Sequence, residues 1–478
     1  MQRSFLHSLG VTAPVFLVLA ACGRSHYTLV ERDASSSPDA STALTVIGPS
    51  VTLAAPSPAG AARFGGDVAA AGDVNGDGTP DVLVGEYRWT GVGAQEGRVH
   101  VYFGGPDLLS ETRVWSAHPT AEDGAEFGWA VVGLGDLNED GMDDFAVGAP
   151  GSDLGGLADR GRVFVYSGGA VPTLALEIPG PMRENANFGS ALASGDFDGD
   201  GDRDLAVGAR YYPYGPPYGQ GRVYVYYADA GVLRTSTPTE LQPNDGGSAA
   251  FGTKLAAADV DGDDRDDLLV GAYSWSGASA NQGRAYAFHG GPTGLAPDEW
   301  WVSAALEQPE AFFTSSLTSL GDISGDGRED VAVGSWSFDG SEVDEGTVLV
   351  FTGGGAGLSA TASQQLTSPR GGTRPAFGYS AQGGGDFDGD DRPDLVVGGF
   401  GIDDQGTILV FGGDGTGFTP TPRWRAALPG QSNAQLGISV AFVGDLDGDG
   451  GDEIVSGAFL FDGEAEDEGR IEVFSVPR

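Results

Sequence analysis

The chain has 478 residues, of which 81 are glycine, and a formal net charge of −43 from 25 basic and 68 acidic side chains. So negative a surface argues against nucleic-acid binding, which requires basic patches. The single cysteine excludes an intrachain disulfide framework, so a folded domain must be stabilised by packing or by metal.

Residues 1–21 have the features of a signal segment. Arg3 precedes an apolar stretch over residues 11–21, which is too short to span a bilayer as a helix. The stretch ends in Leu-Ala-Ala followed by Cys22, which resembles the lipobox of bacterial lipoproteins. This resemblance implies cleavage before Cys22, a lipid anchor on it and attachment to the cell envelope. The alternative is an ordinary secretory signal with a chance cysteine.

Residues 22–44 form the next predicted segment. They are rich in Ser, Asp, Ala and Thr and have little apolar surface to bury, so we expect a flexible tether. Gly23 follows the cysteine in place of the Asp associated with inner-membrane retention in many Gram-negative bacteria. By resemblance, this favours the outer membrane or the cell surface. The folded domain is expected to span residues 45–478.

A nine-residue acidic loop occurs seven times in this domain. In the third copy, residues 196–204, acidic side chains occupy positions 1, 3, 5 and 9, and an apolar run follows directly. The first positions of the seven loops lie at 73, 136, 196, 259, 322, 386 and 445, in steps of 63, 60, 63, 63, 64 and 59 residues. Such even spacing indicates a repeated structural unit.

Each repeat also has the same pattern of short apolar runs. A Phe-Gly pair such as Phe127 and Gly128 usually precedes the loop, and a second run opened by Gly follows it, as at residues 161–166. Runs rich in β-branched and aromatic residues and bounded by Gly predict strands. We therefore predict an all-β fold, a seven-bladed β-propeller with four-stranded blades.

The two ends of the domain are complementary. Residues 51–56 align with the fourth strand of a repeat that lacks its first three strands, and residues 471–474 form a third strand without a fourth. We therefore expect residues 46–54 to complete the last blade. Closing the ring in this way would remove exposed sheet edges.

The loops predict metal sites. Oxygens at alternate positions of a tight turn can converge on one hard cation, and Ca²⁺ takes about six to eight oxygen ligands, often including a backbone carbonyl. We predict up to seven Ca²⁺ ions, whereas Mg²⁺ fits less well because it prefers a small octahedral shell with several waters. The weakest sites should be those with Asn75, Asn138 or Ser324 at position 3.

The predicted ligands follow the loop positions. Position 1 supplies Asp73, Asp136, Asp196, Asp259, Asp322, Asp386 and Asp445. Position 3 supplies Asn75, Asn138, Asp198, Asp261, Ser324, Asp388 and Asp447. Position 5 supplies Asp77, Asp140, Asp200, Asp263, Asp326, Asp390 and Asp449. Position 7 contributes the backbone carbonyls of Thr79, Met142, Asp202, Arg265, Arg328, Arg392 and Gly451. Position 9 supplies Asp81, Asp144, Asp204, Asp267, Asp330, Asp394 and Glu453.

The alternative is that Asp and Gly merely favour turns. Turn preference alone predicts a random mixture of Asn, Ser and Asp. Positions 1 and 5 are instead Asp in all seven loops, and position 9 is always acidic. This regularity favours metal binding.

These motifs resemble the FG-GAP repeats of integrin α-subunit propellers. The name-giving residues are Phe127 and Gly128, followed in the same repeat by Gly148, Ala149 and Pro150. The resemblance covers about residues 46–478. It implies a seven-bladed propeller with Ca²⁺ loops between the first and second strands on the lower face, and protein partners on the upper face.

The sequence also departs from the integrin pattern. Eukaryotic integrins have the loop in only some blades, whereas all seven repeats have it here. We identify no leg region, transmembrane helix or cytoplasmic tail. A bacterial surface lipoprotein is therefore expected rather than a signalling integrin.

No catalytic constellation is apparent, because the five histidines are scattered and neither a His-Glu-x-x-His nor a Gly-x-Ser-x-Gly motif occurs. We predict a non-enzymatic, monomeric propeller that binds a protein or glycan in adhesion or recognition. The alternatives are a structural or assembly lipoprotein of the envelope and, less favoured, a polysaccharide-active enzyme.

Aromatic residues after the second strand suggest where a partner binds, because exposed aromatics are common anchors of binding surfaces. The simpler interpretation, packing between blades, is favoured for Tyr87, Tyr273, Trp336 and Phe400. The predicted partner-surface residues are Trp89, Tyr211, Tyr212, Tyr214, Tyr218 and Trp275.

Overall fold

The structure is a computed structural model that describes residues 45–56, 60–212, 219–244, 250–303, 305–369, 374–428, 433–463 and 465–476. The predicted signal segment, the tether and Cys22 lie outside the described residues. Within the described ranges, no helix has both the length and the apolar character needed to cross a membrane.

The described chain forms seven sheets, which confirms the predicted propeller. Two short strands come first, β1 (Thr45–Ile47) and β2 (Val51–Ala54). Blade 1 contains β3 (Phe64–Gly72), β4 (Asp81–Glu86), β5 (Arg98–Tyr102) and β6 (Val114–Ala117). Blade 2 contains β7 (Ala130–Gly135), β8 (Asp144–Ala149), β9 (Arg162–Ser167) and β10 (Thr173–Pro179). Blade 3 contains β11 (Phe188–Gly195), β12 (Asp204–Ala209), β13 (Arg222–Tyr226) and β14 (Thr239–Leu241).

The remaining blades repeat this antiparallel order. Blade 4 contains β15 (Lys254–Ala258), β16 (Asp267–Ala272), β17 (Arg284–Phe288) and β18 (Trp301–Ser303). Blade 5 contains β19 (Phe313–Gly321), β20 (Asp330–Ser335), β21 (Thr347–Phe351) and β22 (Gln364–Leu366). Blade 6 contains β23 (Phe377–Gly385), β24 (Asp394–Gly399), a 3₁₀ turn (Ile402–Asp404), β25 (Thr407–Phe411) and β26 (Trp424–Ala427). Blade 7 contains β27 (Ser439–Phe442), β28 (Ile454–Ala458) and β29 (Arg470–Phe474).

The ring closes through the N-terminal strand, as the sequence predicts. Strand β2 pairs antiparallel with β29, with Val51 opposite Val473, and so becomes the outer strand of blade 7. One part of the prediction is wrong, because residues 46–47 do not join this blade. They belong to β1, which pairs parallel with β26 and adds a fifth strand to blade 6. The short chain between β1 and β2 allows it to cross from one blade edge to the next.

The first strands of the blades surround the central axis. Each contacts the first strand of the next blade, and β27 contacts β3 to complete the circle. The second strands are buried along their whole length in blades 1–6, because blades cover both of their faces. The apolar run after each acidic loop is therefore the core of its blade. We call the side with the acidic loops the lower face and the opposite side the upper face.

The Phe-Gly and Gly-Ala motifs meet between neighbouring blades. Phe188 is fully buried, and Gly189 has a φ of 88°, which favours glycine. A Cβ atom on Gly148 of the preceding blade would lie 2.0 Å from the carbonyl oxygen of Gly189. Both glycines are therefore required for the close approach of the two backbones.

Candidate functional site

The seven acidic loops all connect the first strand of a blade to its second strand. The loop in blade 3, for example, lies between β11 and β12, and Asp204 at position 9 is the first residue of β12. The loop ends are thus fixed by the two innermost strands of a blade. The same placement applies to the other six blades.

The position-9 acid anchors the loop to its blade. One oxygen of Asp204 accepts the Phe197 N–H at 3.0 Å, and the other accepts the Ala228 N–H, just after the third strand, at 2.8 Å. Asp81, Asp267, Asp330 and Asp394 make the same pair of bonds. A carboxylate is required there because two backbone donors point at it.

The position-1 Asp shapes the turn itself. In blade 3, Asp196 accepts the N–H of Asp200 at 3.2 Å and that of Gly201 at 3.0 Å. The equivalent bonds to positions 5 and 6 occur in every loop. Position 1 is therefore Asp for a local structural reason as well as for its possible role as a ligand.

Three predicted ligands converge in each of four loops. Their carboxylate oxygens lie within 4.8 Å of one another in the sets Asp196, Asp198 and Asp204; Asp259, Asp261 and Asp263; Asp386, Asp388 and Asp394; and Asp445, Asp447 and Glu453. Like charges so close repel one another unless a cation or protons compensate them.

The position-3 side chains give a further indication of a ligand. One oxygen each of Asp198, Asp261 and Asp388 is buried and has no hydrogen-bond partner among the described residues. Such orphaned oxygens are rare, because an unsatisfied buried polar atom costs free energy. Hard oxygen donors arranged in this way fit a divalent cation such as Ca²⁺.

Burial makes the charge at position 9 costly. It raises the pKa of Asp144 and Asp267 to about 6, of Asp81 and Asp394 to about 7, and of Asp204 and Glu453 to about 8. The pKa of Asp330 is also raised by burial. Desolvation is the largest cause throughout, and repulsion from other acids in the same loop adds to it in each case.

The three loops without a carboxylate at position 3 use a neutral group there. Asn75 and Asn138 each accept the position-5 N–H through the side-chain oxygen, both at 2.9 Å. The hydroxyl of Ser324 donates to Asp322 at 3.4 Å. These three loops therefore hold less negative charge than the four loops with Asp at position 3. The use of the position-7 carbonyls as ligands stays a prediction.

Two basic side chains near the loops were not predicted. His289, just after β17, lies 3.0 Å from Asp267 and 3.7 Å from Asp261. Arg423 reaches loop 6 from just before β26, with its guanidinium 2.6 Å from Asp388 and 3.7 Å from Asp390. The sequence has no signal for these contacts, since both residues lie on other strand connections.

The first aromatic residues after the second strands pack against neighbouring aromatics on the upper face. The ring centroid of Tyr87 lies 4.9 Å from that of Trp129 in the next blade, and Phe312 stacks on Trp336 at 5.6 Å. Phe400 contacts Tyr379 at 5.0 Å. These contacts agree with the packing interpretation.

The predicted partner-surface residues are half-buried where the structure describes them. Arg98 lies over Trp89 at 4.6 Å and Arg284 over Trp275 at 3.3 Å. Tyr212 packs near Arg222, and Tyr211 near Arg210, at 5.2 and 5.0 Å. Tyr214 and Tyr218 lie outside the described residues. The described aromatics thus pack against arginine side chains, and a role in partner binding stays a prediction.

Buried glutamates, which were not predicted, shape several upper-face loops. Glu96, fully buried, accepts the N–H groups of Val92 and Gly93 at 3.1 and 2.9 Å. Glu345 accepts that of Ser341 at 2.6 Å. In the sequence, these glutamates could have been recognised by the Glu-Gly pair that precedes the third strand of the blade.

Family comparisons agree with the repeat pattern. The FG-GAP repeat model matches residues 64–102, 127–166, 188–226 and 251–288, which are the first three strands of blades 1–4. The FG-GAP-like repeat model matches residues 386–456, which include loops 6 and 7.

Curated relatives include integrin chains and an enzyme. The chain is 33% identical to integrin alpha-PS2 of Drosophila melanogaster over 46% of this chain and 16% of the relative. It is 32% identical to phosphatidylinositol-glycan-specific phospholipase D of Homo sapiens over 54% of this chain and 32% of the relative. It thus spans less than a third of the length of either.

Among solved structures, the chain is similar to the crystal structure of Saccharomyces cerevisiae Sqt1. The TM-score is 0.46 and the identity 12%, over 84% of this chain and 83% of that one. The repeat matches, the integrin relatives and the seven closed blades lead to one assignment. The chain belongs to the FG-GAP repeat proteins and forms an integrin alpha-like β-propeller.

Proposed function

We propose that this chain is a Ca²⁺-stabilised recognition propeller, anchored to the cell envelope through lipid on Cys22. The observation that supports the metal most directly is the convergence of three carboxylates in each of four loops, with a buried unpaired oxygen in three of them. Bound Ca²⁺ would offset the repulsion between these acids and fix the hairpin turns.

The residues that would hold each ion are the side chains at positions 1, 3, 5 and 9 together with the position-7 carbonyl. The proposed role of the ion is structural. Because the loop joins the two innermost strands of a blade, ordering it stabilises the blade next to the central axis. The loops lie on the lower face and leave the upper face available for a partner.

The upper face is the proposed surface for a protein or glycan partner. Val92 and Val343 project from two of its loops and are 86% and 71% exposed. Buried Glu96 and Glu345 hold the backbone of these loops, so the apolar tips are presented on ordered supports. Similarity to integrin alpha chains supports a role in recognition or adhesion.

Catalysis is not part of this proposal. The absence of an activity stays a prediction, because one relative is named as a phospholipase D. Turnover of a polysaccharide that is lost on changing an upper-face acid would favour the enzymatic alternative.

Calcium titration with a matched control tests the metal sites. Asp198→Asn removes a predicted ligand, whereas Asp202→Asn makes the same change at position 7, where only the backbone carbonyl is a predicted ligand. We expect calorimetry to show one fewer tight Ca²⁺ site in the first variant and an unchanged number in the second. Chelation with EDTA should lower the melting temperature of the unaltered protein. Equal melting temperatures with Ca²⁺ and with EDTA would refute the structural role.

Capture from an envelope extract tests the partner surface. Val92→Asp together with Val343→Asp should abolish capture of any partner retained by the unaltered protein, with melting unchanged. Val171→Asp is the control, because Val171 is 68% exposed in the connection between the third and fourth strands of blade 2, on the lower side. Equal loss in both variants would contradict recognition through the upper face.

Labelling with a fatty-acid analogue tests the anchor. Cys22→Ser should abolish incorporation of the label and shift the protein from the membrane fraction to the soluble fraction. A labelled Cys22→Ser protein would exclude this residue as the lipid site.

A further inference from the structure

The central channel is lined by the first strands of all seven blades. It encloses about 530 Å³, within the range typical of small-molecule sites. The rings of Tyr87, Trp129, Tyr379 and Phe459 lie along its wall toward the upper face. The channel is separate from the metal loops, so a ligand bound in it would be independent of the proposed function.

One level of the channel wall is formed by seven equivalent residues. Each lies three positions after the Phe, or Leu, that opens the repeat. Five of them are small, namely Ala130, Ala191, Ser316, Ser380 and Ser439. The other two are charged, Asp67 in blade 1 and Lys254 in blade 4. Opposite charges therefore occur on different sides of this ring of seven residues, whose other side chains are small and neutral.

Lys254 is the only lysine of the chain, which has 24 arginines. Its side chain is exposed to the water of the channel, which the seven blades surround. Among the described residues, its ammonium group has no hydrogen bond and no carboxylate within 4.0 Å, so it forms no direct ion pair with Asp67. Asp67 accepts a hydrogen bond from the Val131 N–H at 2.9 Å.

The serines at this level already have partners. Ser316, Ser380 and Ser439 each donate to the carbonyl of the Phe-Gly or Leu-Gly glycine of the following repeat, at 3.0, 2.8 and 2.9 Å. They stabilise contacts between blades and do not need a ligand. The two charged groups are therefore the remaining polar groups of this level, and among the described residues neither forms an ion pair within 4.0 Å.

Enclosure makes both charges costly. Burial lowers the pKa of Lys254 and raises that of Asp67 to about 6, although each opposes the shift of the other. A separated pair in such an environment is stabilised by a molecule that contacts both groups.

We propose that the channel binds a small zwitterionic molecule, with its carboxylate at Lys254 and its amine at Asp67. The two charges set the ends of the ligand, and the small side chains between them leave room for its body. The aromatic rings near the upper face provide apolar surface along the entry path. A molecule with only one charged group would leave the other wall group unpaired.

The single lysine allows a direct test. Protein labelled with nitrogen-15 at the lysine side chain gives one side-chain ammonium signal by nuclear magnetic resonance, and that signal reports on Lys254 alone. It is followed while glycine, β-alanine, γ-aminobutyrate and ε-aminocaproate, whose charges are progressively farther apart, are added to the calcium-loaded protein. Butyrate and butylamine are the probes with a single charge.

We expect a saturable shift with at least one amino acid of the series and binding at least about tenfold weaker for both single-charge probes. Asp67→Asn should weaken the binding of the same amino acid by about tenfold or more. Glu111→Gln, a change at an exposed surface position, should leave its binding unaltered.

One further variant and a melting measurement protect the test from a folding defect. The exchange of the two charges, Asp67→Lys with Lys254→Asp, should restore binding if the ligand is held at both ends, and melting is measured for every variant. No saturable shift with any amino acid of the series would overturn the proposal, and so would binding that Asp67→Asn leaves unchanged.

Discussion

Asp196 and Asp266 join two neighbouring loops by reciprocal hydrogen bonds. The backbone N–H of Asp266 donates to the carbonyl of Asp196, and the N–H of Asp196 donates to the carboxylate of Asp266, both at 2.9 Å. Equivalent pairs join Asp73 with Asp143 and Asp386 with Asp452. The first residue of one loop is thus held by position 8 of the next, which couples adjacent candidate metal sites.

Removing this carboxylate should weaken two loops at once. Asp266→Ala leaves the N–H of Asp196 without its acceptor, and we expect a loss of about 1–2 kcal/mol in the free energy of unfolding. Urea denaturation at saturating Ca²⁺ measures it. Glu111→Ala removes the same charge from an exposed position and should change stability by less than about 0.5 kcal/mol. Equal effects of the two changes would show that Asp266 acts through net charge alone.

Thr314 occupies a position that is glycine in the other six repeats. Its φ is 78°, a strained conformation for a β-branched residue, and its buried hydroxyl has no partner among the described residues. Thr314→Gly should therefore raise the free energy of unfolding by about 1 kcal/mol, measured by urea denaturation.

The reverse change is the control for Thr314. Gly378 has a φ of 84° at the equivalent position of the next repeat, and a Cβ there would lie 2.6 Å from the carbonyl oxygen of Thr347. Gly378→Thr should destabilise the protein by more than Thr314→Gly stabilises it. A loss of stability in Thr314→Gly would mean that the packing of the Thr side chain outweighs its strain.

The sequence predicts the blades well because each blade is a local unit. The loop, the Phe-Gly pair and the apolar run lie within one repeat, so their even spacing defines the fold. Contacts that occur only once in the ring are not encoded in this way. Strand β1 joins blade 6 through three residues that pair with Trp424, Arg425 and Ala426, far along the chain.

The candidate metal site and the channel could likewise be predicted only in part from the sequence. Positions 1 and 9 follow from local hydrogen bonds, so their acids are regular and easily recognised. Arg423 reaches Asp388 from another connection of the blade, and Asp67 shares a ring with Lys254 only because seven blades close. Such relationships depend on the assembled propeller, so the sequence around either residue does not indicate its partner.

Loop 5 should gain affinity from one added carboxylate. Ser324→Asp supplies the missing position-3 ligand, and we expect Ca²⁺ to bind this loop about tenfold more tightly. Calorimetry should then show one more tight site than in the unaltered protein. Without metal the added charge only increases repulsion, so the melting temperature in EDTA should fall. Ser236→Asp, at an exposed position, should do neither. If Ser324→Asp had the same number of tight Ca²⁺ sites as the unaltered protein, position 324 would be excluded as a ligand position.

Asp67 should give stability a specific pH dependence. Burial raises its pKa from 3.8 in the unfolded chain to about 6 in the folded protein, with Lys254 and the Val131 N–H opposing the shift. Between these values the folded state binds more protons than the unfolded state. Stability attributable to Asp67 is therefore fully present below about pH 4 and is lost as the pH rises through 6.

Asp67→Asn isolates this contribution, because the amide oxygen can still accept the Val131 N–H. The difference in the free energy of unfolding between variant and unaltered protein should change by about 2 kcal/mol from pH 4 to pH 7, in favour of the variant. Urea denaturation at fixed Ca²⁺ measures it. A difference that stays constant with pH would show that Asp67 is ionised throughout, paired with Lys254 or with another cation.

Arg423 should compete with metal at loop 6. Its guanidinium lies 2.6 Å from Asp388 and 3.7 Å from Asp390, where it compensates two predicted ligands. Arg423→Met removes this charge with little change in length, so a divalent ion should bind loop 6 about tenfold more tightly. Trp424 packs on Phe387 of the same loop at 5.5 Å, which makes terbium luminescence excited through tryptophan a suitable measurement.

The neighbouring arginine provides the control for this prediction. Arg425 lies two residues later, on β26, and pairs with Asp403 instead, so Arg425→Met should leave terbium binding at loop 6 unchanged. Loss of the signal in Trp424→Phe would assign it to this loop rather than to another blade. Weaker terbium binding in Arg423→Met would contradict competition between Arg423 and the metal. It would show instead that the guanidinium of Arg423 positions Asp388 for the metal ion and is part of the site.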